Sequence, residues 1–254
     1  MGNYNAEEEK EKKVAGITDK KTIFDKNSML TSILTKTGSI ILANIFFIIC
    51  CLPVITIGAS ATALIRVCLL LNENADFHLT KEFFTTFVKS LLDATLGWVI
   101  FGTILAGMVY IIANNLLAGE GKGSLVTVCI CGFVGLLLLI ELTFYFAMIA
   151  RYKNTILNQM KNAFLVGLAN LWRTIVIWII WFIPIFAFVY SPVLVKYVGW
   201  VWLLAGFSMF TIVTCKVYKK IFNILEKVDG AAADNLEKAD ENAANNNIEE
   251  KTEE

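Results

Sequence analysis

The sequence predicts an all-α integral membrane protein, a helical bundle of about six membrane segments with two cytoplasmic amphipathic helices. Three observations support this class. Hydrophobic residues make up 57% of the 254 residues, charged residues only 17%, and the mean hydropathy is +0.64. Several apolar runs are near the roughly 20 residues that a helix needs to cross a bilayer. The charges concentrate at the two chain ends and in a few short loops.

The first membrane element is an apolar run from Gly38 to Leu71 that is broken once, at residues 52–60. As one helix this run would be about 51 Å long, at 1.5 Å per residue, well beyond the roughly 30 Å hydrocarbon core of a bilayer. Pro53 lacks a backbone donor, and Gly58 can adopt backbone angles that other residues avoid. We therefore predict a hairpin of two short helices, which either crosses the membrane twice or forms a re-entrant pair.

Four longer apolar runs predict further crossings, at residues 92–114, 125–150, 174–189 and 198–215. Two segments between the crossings carry apolar residues on one helical face and polar residues on the other. They run from Thr80 to Asp93 and from Asn154 to Trp172. The second has an apolar stripe of Leu157, Met160, Phe164, Leu168 and Leu171. Both are expected at the membrane interface, where they anchor the bundle or, alternatively, one of them docks on a cytoplasmic partner.

Lysine and arginine residues predict the orientation, because they are retained on the cytoplasmic side of a membrane. They cluster between residues 151 and 173 and after the last crossing, whereas the connections at 117–124 and 191–197 carry one lysine each. Both chain ends are therefore expected in the cytoplasm, which requires an even number of crossings.

The chain divides into a charged N-terminal segment (1–21), a polytopic membrane domain (22–228) and an acidic tail (229–254). The two end segments are too polar to bury a core, so their composition predicts disorder.

Three polar residues within the apolar runs are candidate functional or structural groups. A carboxylate such as Glu141 costs about 2.5 to 3.5 kcal/mol inside a membrane span. Arg66 is expected at a similar depth, about 9 Å against about 15 Å by helical rise, so one interpretation pairs the two. Alternatively, Glu141 is protonated or bonded to hydroxyls such as that of Thr143, and Arg66 extends to the headgroups. Asn44 is expected to form a hydrogen bond across helices.

No constellation for catalysis is visible in the sequence. The chain has one histidine, His78, and its six cysteines lie in or beside apolar segments, where cysteine behaves as a small hydrophobe. We therefore predict no enzyme activity, no cofactor and no metal site. The expected partners are the lipid bilayer and another membrane protein, not nucleic acid, and the oligomeric state is open.

A short motif around the break carries a family resemblance. The motif reads Leu-Pro-Val-x-Thr-x-Gly-Ala and includes Leu52, Pro53, Thr56, Gly58 and Ala59. Asn44 precedes the motif, and Arg151 and Asn162 follow it, in matching order. With these residues the chain resembles the YesL family of bacterial polytopic membrane proteins, from whose pattern it departs at Arg66 and in its acidic tail.

The resemblance implies a small multi-pass protein of the bacterial cell membrane, of undefined biochemical activity. It also implies an association with carbohydrate uptake systems in Gram-positive bacteria. The preferred expectation is an accessory or regulatory component of an ABC-type uptake system, possessing docking surfaces but no transport path. The alternative is a small-molecule transporter or channel in its own right, since broken helices recur at transporter substrate sites.

Overall fold

The computed structural model describes residues 29–117 and 124–252, which are helical almost throughout and contain no strand. Their α-helices are α1 (Met29–Cys51), α2 (Ile57–Glu73), α3 (Leu79–Leu117), α4 (Leu125–Arg151), α5 (Ile156–Ala169), α6 (Leu171–Tyr190), α7 (Pro192–Val201) and α8 (Phe207–Thr252). Six stretches are long and apolar enough to cross a bilayer: Leu34–Cys51, Val54–Glu73, Leu79–Asn115, Leu125–Arg151, Leu171–Tyr190 and Lys196–Val228. The prediction of an all-α membrane protein with about six membrane segments is confirmed.

Helices α1 and α2 form the predicted hairpin. A single 3-10 turn, Val54–Thr56, joins them directly after Pro53. At the other end of the pair, Lys36 Nζ donates to Asn74 Oδ1 over 2.6 Å. This bond links the beginning of α1 to the residue after α2, so the two helices run antiparallel.

Helix α3 is a single helix of 39 residues, about 58 Å long at 1.5 Å per residue. The prediction of a separate interface helix at residues 80–93 is wrong, because this segment continues into the crossing at 92–114 without a break. The physical reason is the absence of proline and glycine between Thr80 and Leu96, which leaves nothing to end a helix there.

The hairpin packs closely against the first half of α3. A Cβ atom added to Gly58 would collide with the backbone oxygen of Ala94 and lie 2.9 Å from Trp98 Cβ, so the two helices approach at a distance that only glycine permits. Trp98 Nε1 donates to the carbonyl oxygen of Val54 in the hairpin turn, over 3.0 Å. Because α3 continues from residue 99 to residue 117, about 28 Å further, the hairpin lies along its first half only.

Helix α5 turns its small residues toward the bundle and its bulky residues away. Its buried face consists of Gln159, Ala163, Val166 and Gly167. A Cβ atom at Gly167 would lie 2.6 Å from Ile140 Cγ2 on α4, so the small residues allow close packing. Of the apolar stripe predicted from the sequence, Leu157, Leu168 and Leu171 are exposed, whereas Met160 and Phe164 are half-buried. Most of the stripe therefore faces away from the core.

A single residue, Asn170, separates α5 from α6. Asn170 Nδ2 donates to the carbonyl oxygen of Val166 at 3.0 Å. On the other side, Arg173 Nη1 donates to Asn170 Oδ1 at 2.8 Å, and the Thr174 hydroxyl donates to the Asn170 carbonyl oxygen at 3.2 Å. The corner between the helices is thus fixed by hydrogen bonds to both of them.

The last crossing is longer than the predicted range of 198–215. It combines α7, a five-residue π-helical segment at Trp202–Gly206, and the first part of α8. Helix α8 then continues to Thr252, whereas composition predicts disorder for residues 229–254. A helix satisfies its own backbone hydrogen bonds, and the Ala, Glu and Lys residues of this segment have high helix propensity. The predicted disordered segment at 1–21 lies outside the described residues.

The core is formed where α2, α3, α4 and α8 meet. Large side chains that are almost completely buried there include Phe83, Phe144, Tyr145 and Phe222. Tyr145 fits against Gly97, where a Cβ atom would collide with the tyrosine ring, and its hydroxyl donates to the carbonyl oxygen of Asp93 at 2.8 Å. This packing fixes α3 and α4 beside the polar cleft described next.

Candidate functional site

Arg66 forms an ion pair with Glu82 rather than with Glu141. The distance from Arg66 Nε to Glu82 Oε1 is 3.1 Å, and both side chains are about one-third exposed. The interpretation that paired Arg66 with Glu141 is therefore wrong. The antiparallel packing of α2 on the first half of α3 brings Glu82 opposite Arg66, a contact that the prediction of a separate interface helix did not suggest.

Glu141 lies half-buried on α4 and forms no ion pair with the described residues. The hydroxyl of Thr143 does not bind it, because that hydroxyl donates to the Leu139 carbonyl oxygen at 2.7 Å and accepts from Trp178 Nε1 at 3.0 Å. The carbonyl oxygen of Thr143 in turn accepts from the Tyr218 hydroxyl at 2.7 Å. Thr143 thus joins α4 to α6 and α8 and has a structural role.

Asn44 is fully buried on α1 and forms hydrogen bonds across helices, as its position predicts. Its Nδ2 donates to the Leu203 carbonyl oxygen at 2.7 Å, and its Oδ1 accepts from the Ser208 backbone N–H at 3.0 Å. Both partners lie in or directly after the π-helical segment, where the regular helical bonding pattern changes. Asn44 therefore satisfies backbone groups that this irregularity leaves available.

The motif residues at the break build the hairpin turn. The hydroxyl of Thr56 lies 2.7 Å from the Cys50 carbonyl oxygen and 2.8 Å from that of Pro53, so it closes the turn. Leu52 is 77% exposed and Ala59 is completely buried. Together with the close contact at Gly58, these positions account for the motif as a folding element. Asn162 is half-buried on α5.

Arg151, at the end of α4, links the end of α2 to the middle of α8. Its Nη1 lies 2.6 Å from Glu73 Oε1 at the end of α2, and its Nη2 lies 2.9 Å from Glu226 Oε1 on α8. The guanidinium carbon also lies 5.6 Å from the centre of the Phe222 ring, within the range of a cation–π interaction. The neighbouring Tyr152 hydroxyl donates to Glu226 at 3.4 Å, and burial together with the Glu226 charge raises the pKa of Tyr152 above its usual value.

Beside this network is a polar cleft of about 890 Å³, between the first half of α3, the end of α4 and the beginning of α5. Its charged lining residues are Arg66, Glu82, Lys89, Asp93, Arg151 and Lys153. Hydroxyl and amide side chains complete the lining, among them Ser90, Asn158 and Gln159. The cleft begins where α4 leaves its apolar stretch, so it lies at one end of the membrane segments.

Gln159 is the most unusual residue of this cleft, because it is only 2% exposed and half of its amide lacks a partner. Its Nε2 donates to the Tyr152 carbonyl oxygen at 2.6 Å. Its Oε1 is buried and accepts no hydrogen bond. Buried polar atoms without a partner are rare in native structures and require a physical explanation.

Sequence reasoning identified Arg66 and Arg151 but missed their partners and the importance of Gln159. The partner Glu82 was available in the sequence as a charge on an amphipathic helix, but its contact depends on helix packing. Gln159 gave one signal, an amide four, seven and eight positions before Ala163, Val166 and Gly167, and therefore on the same helix face as these small or apolar residues. Within residues 29–117 and 124–252, no group of three or more His, Cys, Asp or Glu residues is arranged to hold a metal ion.

Comparison with protein families finds a match to part of the chain. The family described as "Protein of unknown function, DUF624" matches residues 40–112. This range includes the second half of α1, the hairpin turn, α2 and nearly all of α3. It contains Glu73 but ends before Arg151. No curated protein matches the chain. No solved structure matches it either.

Proposed function

We propose that this protein is a YesL-like accessory or regulatory component of an ABC-type carbohydrate uptake system in the cell membrane of a Gram-positive bacterium. The observation that carries the proposal is a contrast between the polar side chains of the cleft and those within the membrane segments. A set of polar and charged side chains lines a cleft near one end of the membrane segments, whereas Asn44 and Thr143 within those segments are engaged in helix-to-helix bonds.

The outward face of α5 is the proposed docking surface for the transporter. Leu157 is 70% exposed and Leu165 is 63% exposed, beside the exposed polar residues Asn158 and Lys161. A mixed apolar and polar helix face of this kind suits a groove on a partner protein. The hydrogen-bonded corner at Asn170 connects this face directly to α6.

The orientation follows the distribution of lysine and arginine. We propose that the cleft, α5 and both chain ends are cytoplasmic. Six crossings are an even number, which agrees with both ends on one side.

A transporter or channel is the alternative, and one observation favours it. The cleft volume of about 890 Å³ falls within the range of small-molecule binding sites in proteins. The turn of the hairpin at Pro53 adds a broken helix, as found at the substrate sites of several transporters. Under this alternative the protein would move a solute without a partner subunit.

Purification in mild detergent, followed by identification of co-purifying proteins, tests the accessory role. We expect a sugar transporter subunit in stoichiometric amount with the wild type, and its loss from the variant Leu165→Asp. The matched control Leu165→Met retains an apolar side chain and should retain the partner. Solute flux into vesicles reconstituted with this chain alone would overturn the accessory role and establish the alternative.

A further inference from the structure

We infer that the outward face of α5 docks into an acidic groove of its partner protein, one that is apolar at its base and carries a carboxylate group for Lys161. The inference rests on the accessory role proposed above and deepens it, because it states the chemistry of the surface that receives α5. It combines the spacing of exposed leucines, a lysine placed among them, and a long part of the chain that contains no acidic residue.

The outward face of α5 carries a ridge of four exposed residues: Leu157, Lys161, Leu165 and Leu168. They are spaced by four, four and three positions, which places them on one side of a helix. The buried face of α5 begins two positions after Leu157, at Gln159, which is about 200° around a helix of 3.6 residues per turn. The ridge therefore points away from the bundle.

Three of the four ridge residues are large and apolar. Leu157 is 70% exposed, Leu165 is 63% exposed and Leu168 is 37% exposed. Apolar residues spaced by three and four positions are the anchors with which a helix occupies a hydrophobic groove on another protein. The spacing therefore favours a groove on the partner over a flat polar surface.

Lys161 lies one helical turn after Leu157 and one turn before Leu165, so its charge is placed within the apolar ridge. In the described part of the chain it forms no ion pair. A groove that covers the two leucines also removes water from the lysine side chain between them. Because a charge without water requires an opposite charge nearby, the wall of the groove must supply a carboxylate group.

The helices next to this ridge have no carboxylate group to offer. The sequence contains no Asp or Glu between Glu141 and Glu226, a range that includes all of α5 and α6. The same range carries Lys153 just before α5, Lys161 within it and Arg173 just after it. A positive face of this kind attracts an acidic surface and repels a basic one. The opposite charge therefore comes from the partner.

The lysine also distinguishes a protein groove from the hydrocarbon of the bilayer. A ridge that faces lipid chains would be apolar at every turn, because a charged side chain is strongly unfavourable there. Lys161 interrupts the ridge at its second position. A groove with an apolar base and an acidic wall matches both the leucines and the lysine.

Zero-length cross-linking tests the contact directly. A carbodiimide couples a lysine amine to a carboxylate group without a spacer, so it joins only groups that touch. We would apply it to membranes that contain the full chain and its partner, and identify the linked peptides by mass spectrometry. The expected product is an amide bond between Lys161 and an Asp or Glu residue of the transporter subunit.

Variants of the same residue test the charge. Lys161→Glu should reduce the amount of co-purified subunit about tenfold or more, because like charges would then face each other. Lys161→Arg retains the charge and should retain the partner. The matched control Lys196→Glu makes the same change of charge at an exposed position of α7 and should retain it too. Replacing the cross-linked carboxylate of the partner by lysine should restore binding to Lys161→Glu.

The outcomes separate this inference from the accessory role. A transporter subunit that co-purifies equally with wild type and Lys161→Glu would overturn the acidic groove and leave the accessory role intact, as would cross-links to the subunit that do not include Lys161. Equal losses in Lys161→Glu and Lys196→Glu would also overturn the groove, because the effect would then follow net charge alone. The absence of any transporter subunit from the wild-type preparation would overturn the accessory role and the groove together.

Discussion

The close contact at Gly58 predicts that a single added methyl group destabilises the fold. In Gly58→Ala the new Cβ atom would lie 2.9 Å from Trp98 Cβ. Ordinary carbon contacts require 3.5 to 4.0 Å, so α2 and α3 must separate locally by about 0.6 to 1.1 Å. The second obstacle is the backbone oxygen of Ala94, which cannot turn aside as a flexible side chain can. Overpacking of this kind costs about 1 to 3 kcal/mol.

The matched control is Gly102→Ala on α3, the helix against which Gly58 packs, where an added Cβ atom meets nothing within 4 Å. We expect Gly58→Ala to lower the free energy of unfolding by the amount given above, and Gly102→Ala to leave it unchanged or slightly higher, because alanine favours helix more than glycine does. The measurement is reversible unfolding in mixed detergent micelles, followed by circular dichroism. Equal stability of the two variants would refute the close packing of the hairpin on α3.

Three further predictions concern the polar network and the orientation. Arg151→Gln removes both ion pairs at the helix ends and should lower the free energy of unfolding by about 1 to 2 kcal/mol in the same assay, since the groups are partly exposed; a change that vanishes within error would show that the network is not stabilising. Asn44→Leu leaves two backbone groups near the π-helical segment without their partner, so a loss of about 1 to 2 kcal/mol is expected, while Asn114→Leu, at an exposed position, should have little effect. Reporters fused at Asn3 and after residue 254 should both be active in the cytoplasm, and activity on opposite sides would contradict an even number of crossings.

The sequence predicted the membrane segments well because their signals are local. The length of an apolar run and the break at Pro53 are visible in a few neighbouring residues, and the lipid environment leaves little choice other than helices. The helix boundaries were predicted less well where no proline or glycine marks the end of a helix. Residues 80–93 therefore continue into α3 without the break that the change from amphipathic to apolar pattern suggested.

The candidate site was predicted only in part because its contacts are not local. Arg151 pairs with Glu73 and Glu226, which are 78 and 75 positions away, and no pattern within one helix identifies such partners. The apolar stripe of α5 was visible, but not that Ala163 and Gly167 would form its packed face. The buried Gln159 amide became notable only when its hydrogen bonds were known.

The corner at Asn170 has a mechanical consequence. A flexible loop between two helices would absorb a displacement of either one. A single connecting residue that is hydrogen-bonded to both helices restricts their movement relative to each other. A force applied to the exposed face of α5 would therefore move α5 and α6 together, because the corner between them is held by hydrogen bonds to both helices. One asparagine would thereby couple a displacement of α5 to α6, a helix long and apolar enough to cross the membrane.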